Sequence, residues 1–299
     1  MWGEVKEIMV TITKDNFSIR QICESGQCFR LEKLEHSEEK PAEKCGEYYA
    51  LTAFGNYLEI GQEGNRLFFD CTQEDFEKLW KDYFDLEENY EQIISSIDKE
   101  DTYLLNAAAY GSGIRILRQD LWEMIVSFIV SQQNNIKRIR KCISFLCQKY
   151  GEKKVTDSGK AYYDFPQAEV LAEASLEDLY ACNLGYRSRY IHETATSIAK
   201  GEVDLRAVKE MDYQTAKAEL MKLCGVGIKV AECICLFALH KTEAFPVDTH
   251  INRVLAKQYP LGFPFDRYKG YEGTLQQYIF YYDLMEKNDT LSQNHQTAQ

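Results

Sequence analysis

Two side chains and one turn in this 299-residue chain have the types and spacing to do chemistry. Lys229 follows Gly225-Val226-Gly227 and opens an apolar stretch, Val230, Ala231, Ile234, Leu236 and Phe237. Burial and the positive end of a helix both disfavour an ammonium, and an uncharged lysine amine is a nucleophile. Asp248, in "FPVDTHINRVL", stands where the next helix starts. A capping carboxylate is held rigidly, and a rigid anion stabilises a cation developing beside it. Taken singly, each residue has a plainer alternative: an exposed lysine on a helix end, and an aspartate that only caps. Gly225 and Gly227 allow a tight turn with positive backbone dihedrals, and the free N–H groups of the following helix make a seat for a phosphate.

The elements that must position these groups divide the chain into two regions. In the first, "YYALTAFGNYLEIGQEGNRLFFDC" (48–71) alternates apolar and polar residues around Gly-Asn punctuation, the pattern of antiparallel hairpins. A charged stretch, 32–47, precedes it as a solvated loop. "TQEDFEKLWKDYFDL" (72–86) follows as a helix capped at Thr72. From about 105 onward the chain reads as helical, with helices at 121–132, 136–150 (stopped by Gly151), 189–200, 213–224, 228–240, 249–258 and 271–287. The expectation is an α+β protein. An N-terminal antiparallel β domain with a flanking helix occupies 1–105, a helical region carrying the hairpin occupies 106–287, and 288–299 form a disordered tail.

Composition narrows the function. No apolar run reaches membrane-spanning length and the start, MWGEVKEIMV, has no cationic leader, so an intracellular protein is expected. Ten cysteines include no CxxC pair and none after Cys235, which excludes a C-terminal four-cysteine cluster and favours reduced, buried thiols. The net charge of −12 argues against nucleic acid, because phosphate binding normally uses a basic face. Contacts made by backbone amides answer much of that objection.

The L-x-G-V-G hairpin, the lysine two positions on and the P-V-D that closes the unit resemble the helix-hairpin-helix–Gly/Pro/Asp superfamily of DNA base-excision glycosylases. "SGQCFR" (25–30), "LRQDLWEMIVSFIVSQQNNIKRI" (117–139), "LGYRSRY" (184–190) and "YEGTLQQYIFYYDL" (271–284) resemble, in order, segments of the 8-oxoguanine DNA glycosylase/AP lyases. The likeness spans about 16–285.

That resemblance implies roles. Lys229 attacks C1′ and forms a Schiff base that permits β-elimination, while Asp248 stabilises the oxocarbenium-like transition state. Oxidation at C8 turns N7 of guanine from acceptor to donor, and the Gly26 carbonyl matches the group that reads it. Phe280 and Cys233 match the two stacking walls, and Gln276 the amide that bonds the base edge. Arg138 and Arg187 match the pair that grips the partner cytosine, Tyr186 the wedge, Gln133 the position that enters the vacated stack, and Asn134 a further DNA-binding residue. His250 matches a phosphate contact, and Gly225 and Gly227 the hairpin seat. The family commonly has three asparagines where this chain has Gln133-Asn134-Asn135, which leaves the opposite-base preference less defined.

No organic cofactor and no catalytic metal are implied. The same resemblance implies a monovalent cation or Ca²⁺ bound by the hairpin carbonyls. The implied partner is double-stranded DNA containing 8-oxoguanine, bound by a monomer, in the cytoplasm or nucleoid of a bacterium or the nucleus of a eukaryote. Two alternatives remain: a glycosylase of the superfamily for another damaged or mispaired base, and a non-catalytic helix-hairpin-helix DNA-binding protein.

Overall fold

The computed structural model of the protein describes residues 9–35 and 46–296, with 287–296 as backbone only. Most of the charged stretch at 32–47 therefore lies outside the described residues. Strands β1 (Met9–Thr13), β2 (Leu31–Lys33), β3 (Glu47–Ala53), β4 (Asn56–Glu63) and β5 (Arg66–Asp70) form an antiparallel sheet in the order β1-β5-β4-β3-β2. The alternation read at 48–71 buries Tyr49 and Leu51 of β3, Leu58 and Ile60 of β4, and Leu67 and Phe69 of β5 on one face. Phe54 (φ 49°) and Gly55 (φ 73°) turn β3 into β4 with two positive dihedrals, which matches the sheet's twist. Helix α1 (Ile19–Glu24) covers the same core with Ile19 and Ile22. At six residues α1 is too short to show a period in the sequence.

The helix expected after the sheet is present and Thr72 caps it, accepting from Asp75 N at 3.1 Å. It consists of α2 (Gln73–Asp75), one π-helical turn (Phe76–Trp80) and α3 (Lys81–Tyr83). Two helices, α4 (Tyr90–Ser95) and α5 (Thr102–Tyr110), lead into the helical region. There α6 (Leu121–Ser131) is buried nearly all round and α7 (Ile136–Tyr150) is amphipathic, both close to their expected bounds.

The region is not wholly helical. A small hairpin, β6 (Lys153–Val155) with β7 (Ala161–Tyr163), interrupts it. Its three-residue strands give no usable alternation. Tertiary contacts hold it instead: Tyr162 packs on Tyr57 of the large sheet at 5.5 Å and Lys160 pairs with Glu59 at 3.3 Å.

The remaining helices are α8 (Ala168–Glu173), α9 (Leu176–Ala181), α10 (Arg187–Ala199), α11 (Leu205–Glu210), α12 (Tyr213–Leu220), α13 (Ile228–Phe237), α14 (Thr249–Gln258) and α15 (Glu272–Gln296). The disordered tail expected at 288–299 is corrected as far as Gln296, because α15 continues to that residue. Beyond Gly273 this helix has no Gly or Pro to stop it. Residues 297–299 lie outside the described residues.

One core joins α6, α7, α10 and α13, and another joins α5, α14 and α15. Nine cysteines in the described residues are free, and all but Cys224 are buried. Among the described residues no helix is long and apolar enough to cross a membrane.

Candidate active site at the helical hairpin

Helices α12 and α13 form the hairpin expected around Gly225-Val226-Gly227. Gly225 has φ +78°, and a Cβ there would lie 2.7 Å from the Tyr190 ring, so both conformation and space require glycine. The same expectation fails for Gly227, whose φ of −88° and ψ of −179° are ordinary extended backbone. A Cβ on Gly227 would meet no protein atom within 4 Å. Its freedom is on the solvent side, where an approaching strand would come. No side chain caps α13, so the N–H groups of its first turn are left to an outside acceptor. The turn itself is pinned: Gln132 Nε2 donates to Gly225 O at 2.9 Å and Thr194 Oγ1 donates to Cys224 O at 2.8 Å.

Lys229 is half-buried on the first turn of α13, with Nζ 5.5 Å from the centroid of the Phe128 ring. Cys233 lies one turn on, and burial pushes its thiol up to about 11 against the pull of Lys229. Asp248 is the N-cap of α14, its Oδ1 accepting from Ile251 N at 2.9 Å. The capping reading and the catalytic reading of this residue are therefore compatible. Glu232, which the sequence did not suggest, ties the two segments together. Its carboxylate accepts from Tyr213 Oη at 2.5 Å, from Phe245 N at 3.1 Å and from Lys217. Phe245 is three residues before Asp248, so a buried acid of α13 fixes the start of α14 relative to Lys229.

Lys229, Cys233, Asp248 and His250 face a cleft of about 1120 Å³ whose other walls include Gly26, Gln276 and Phe280. Gly26 has φ +74°, and a Cβ on it would sit 3.3 Å from the Phe280 ring. The stack behind Gly26 is polar and buried. Gln27, fully buried, donates Nε2 to Ser25 Oγ at 2.9 Å and to Arg115 O at 3.0 Å. Its Oε1 accepts from Leu117 N at 3.0 Å, and its own carbonyl accepts from Gln119 Nε2 at 2.9 Å. Every one of these partners except Ser25 comes from the 115–119 segment.

On α15, Gln276 and Phe280 share a face as their spacing requires. Gln276 is buried and donates Nε2 to Pro246 O at 2.8 Å. Phe280 meets the His250 ring edge-on at 5.4 Å. His250 Nδ1 lies 2.7 Å from Asp283 Oδ2, and Arg253 also pairs with that carboxylate. Burial would raise the Asp283 carboxyl, but the hydrogen bonds from Arg253 and His250 hold it below its ordinary value.

Of the residues assigned to the vacated stack and the partner base, Gln133 and Asn134 line the rim of the cleft, whereas Arg138, Tyr186 and Arg187 lie outside its lining. Gln133 (φ 48°) and Arg138 are exposed, and Tyr186 is 44% exposed with its ring against Tyr190 at 5.6 Å. Asn134 bonds Val130 O at 3.0 Å. Arg187 differs from its neighbours. Its guanidinium is buried, donating Nε to Gln132 O at 2.9 Å, Nη2 to Gln133 O at 3.2 Å and Nη1 to Leu184 O at 3.2 Å. In this structure Arg187 holds the 132–133 turn from beneath instead of presenting free donors at the surface. Among the described residues there is no group of three or more His, Cys, Asp or Glu able to hold a metal ion.

A glycine-turn hairpin, a lysine on its second helix and an aspartate capping the next define a DNA glycosylase of the helix-hairpin-helix–Gly/Pro/Asp type. Comparison with known proteins agrees. Residues 9–125 match the 8-oxoguanine DNA glycosylase N-terminal domain and residues 126–263 match the HhH-GPD superfamily of base excision DNA repair proteins. An N-glycosylase/DNA lyase of Saccharomyces cerevisiae is 32% identical over 278 residues, 84% of this chain and 71% of its own length. A probable N-glycosylase/DNA lyase of Methanothermobacter thermautotrophicus is 34% identical over 223 residues, 68% of this chain and 70% of its own. Among solved structures, the 8-oxoguanine glycosylase/lyase of Clostridium acetobutylicum, bound to double-stranded DNA with cytosine opposite 8-oxoguanine, superposes with a TM-score of 0.84. It is 33% identical, over 94% of this chain and 97% of that one. The chain belongs to the 8-oxoguanine DNA glycosylase/AP lyase family.

Proposed function

We propose that this protein excises 8-oxoguanine from duplex DNA, preferring cytosine opposite, and then cleaves the strand at the sugar it has captured. The observation that carries the reading is the sharing of one cleft by the Lys229 amine, the Asp248 carboxylate and the Gly26 loop. The extruded base enters between Phe280 and Cys233, with Gln276 at its edge. N7–H of the oxidised base donates to the Gly26 carbonyl, a bond that guanine, with a bare N7, cannot make. Lys229 Nζ attacks C1′ as the bond to N9 breaks, the base leaving with the bonding electron pair. The resulting N,O-acetal opens at the C1′–O4′ bond to a Schiff base, a proton passing from the amine to O4′. Loss of a C2′ proton then expels the 3′ phosphate by β-elimination. Asp248 is fixed by its cap bond to Ile251 N and stabilises the positive charge that develops on the sugar.

The backbone amides at the start of α13, with His250, hold phosphates near the lesion. This lets a chain of net charge −12 grip DNA without a basic face. Tyr186, Gln133 and Asn134 fill the duplex where the base left, and Arg138 reaches the partner cytosine. Arg187 serves the same rim through the carbonyls it holds. A monovalent cation or Ca²⁺ fits the hairpin's neutral carbonyl oxygens, which are hard donors. Those of Cys224 and Gly225 each accept one internal hydrogen bond and keep a lone pair. Such an ion would brace the turn against a phosphate. The protein acts as a monomer.

The test is borohydride trapping on duplexes bearing 8-oxoguanine opposite each of the four bases, with single-turnover rates. A covalent complex formed fastest opposite cytosine is expected. Tight binding with no trapped product would mean a DNA-binding module. Faster excision of another damaged base would move the substrate.

A further inference from the structure

Beside Gln276 on α15 stands a second amide, Gln277, whose neighbours leave part of it unused. Gln277 is 4% exposed and lines the same cleft. Its Nε2 donates to Gln276 Oε1 at 3.2 Å, while its own Oε1 is buried and accepts no hydrogen bond among the described residues. A buried carbonyl oxygen without a donor costs free energy, and of the atoms in that condition among the described residues Gln277 Oε1 belongs to a residue beside the base-edge amide of the cleft.

The two amides have a fixed order. Gln276 Nε2 points toward Pro246 O, and its Oε1 receives the Gln277 amide. Gln277 therefore lies beyond the oxygen end of Gln276, not the nitrogen end. Gln276 presents a donor (its second Nε2 hydrogen) and an acceptor (the free lone pair of Oε1), and beyond the Gln277 Nε2 that bonds that oxygen lies another acceptor, Gln277 Oε1. The Watson–Crick edge of a guanine reads acceptor, donor, donor: O6, N1–H and the 2-amino group. The sequences are complementary in that order.

We propose that Gln277 is a further specificity-determining residue, whose Oε1 accepts a hydrogen bond from the 2-amino group of the extruded base. This rests on the 8-oxoguanine reading above. Its Nε2 has a second task, since it fixes which end of Gln276 faces the base. In this scheme Gly26 reports that C8 is oxidised, and the Gln276–Gln277 pair reports that the purine is a guanine. An adenine-type edge would set its N1 lone pair against the Gln276 oxygen, which excludes 8-oxoadenine.

The test compares 8-oxoguanine with 8-oxohypoxanthine, the same base without its 2-amino group, each opposite cytosine. Single-turnover excision is measured for the unmutated protein and for Gln277→Met. The ratio of the two rates should favour 8-oxoguanine in the unmutated protein and fall about tenfold or more in the variant, the order of one net hydrogen bond. An unchanged ratio, with both substrates slowed alike or neither slowed, overturns the proposal and leaves Gln277 a packing residue. If Gln277→Met fails to give a cooperative melting transition, the same ratio is read with Gln277→Asn, whose shorter amide cannot span the gap. No excision of 8-oxoguanine by the unmutated protein is a different result: it removes the function itself, and this inference with it.

Discussion

Lys229 and Gly26 face the same cleft, yet they are held in place by different means. Lys229 stands half-buried at a helix mouth, on a long flexible stem, with an aromatic ring below it and one buried acid, Glu232, setting its distance from Asp248. Gly26 has no side chain at all. Its position is fixed from behind by Gln27, which spends its amide on backbone groups of the 115–119 segment. The nucleophile proposed for this site must travel toward carbon as the glycosidic bond stretches, so freedom at Nζ would be useful. The carbonyl proposed to read N7 gains its selectivity from not moving, because discrimination by one hydrogen bond vanishes if the acceptor can retreat. On the proposed reading, the site pairs a mobile reagent with a rigid reader.

Four substitutions would break or sharpen that contrast. The largest effect is expected for Lys229→Gln. The borohydride-trapped complex should disappear, while affinity for a duplex carrying 8-oxoguanine persists in a gel-shift measurement. A trapped complex of undiminished yield would assign the Schiff base to another amine.

Asp248→Asn keeps the cap, since asparagine caps helices as well as aspartate does, but removes the charge. Base release in single turnover should slow about 10²–10³-fold, with little change in melting temperature. An unaltered rate would remove Asp248 from the chemistry and leave it a cap.

On the reader side, Gly26→Ala forces a side chain into φ +74° and against the Phe280 ring. The excision ratio of 8-oxoguanine to guanine should drop about tenfold, the order of one lost hydrogen bond in a recognition site. Equal ratios would place the reading of oxidation elsewhere in the cleft.

The smallest effect is expected at Asp283, which orients His250 and Arg253. Its carboxyl is held below the ordinary value of 3.8, so it binds a proton less readily folded than unfolded. The stabilisation is present above 3.8 and is lost as pH falls through the lower, folded value. Asp283→Asn should lower the melting temperature at pH 7 by the equivalent of about 1 kcal/mol. The gap between variant and unmutated protein should close as the pH falls well below 3.8, and a gap independent of pH would mean that the side chain acts by packing alone.

The sequence alone determined whatever depends on neighbours along the chain. The alternation at 48–71, the Thr72 and Asp248 caps, the hairpin glycines and the helices at 121–150 were all legible, because a residue's period and its capping role are set within a turn or two. The ordered motifs located Lys229 and Asp248 for the same reason. Only the tertiary structure decided which partners meet across long stretches of chain. Gln27 bonds a carbonyl 88 residues away, and Arg187 turns inward to carbonyls 54 and 55 residues back, so neither could be ranked from its own surroundings. The β6–β7 hairpin exists because the large sheet receives it, and α15 runs past its expected end because nothing in its sequence halts it. The free lone pairs of Gln277 belong to this second class. Hydrogen-bond satisfaction is a property of the whole surrounding shell, and that shell is assembled only when distant segments pack.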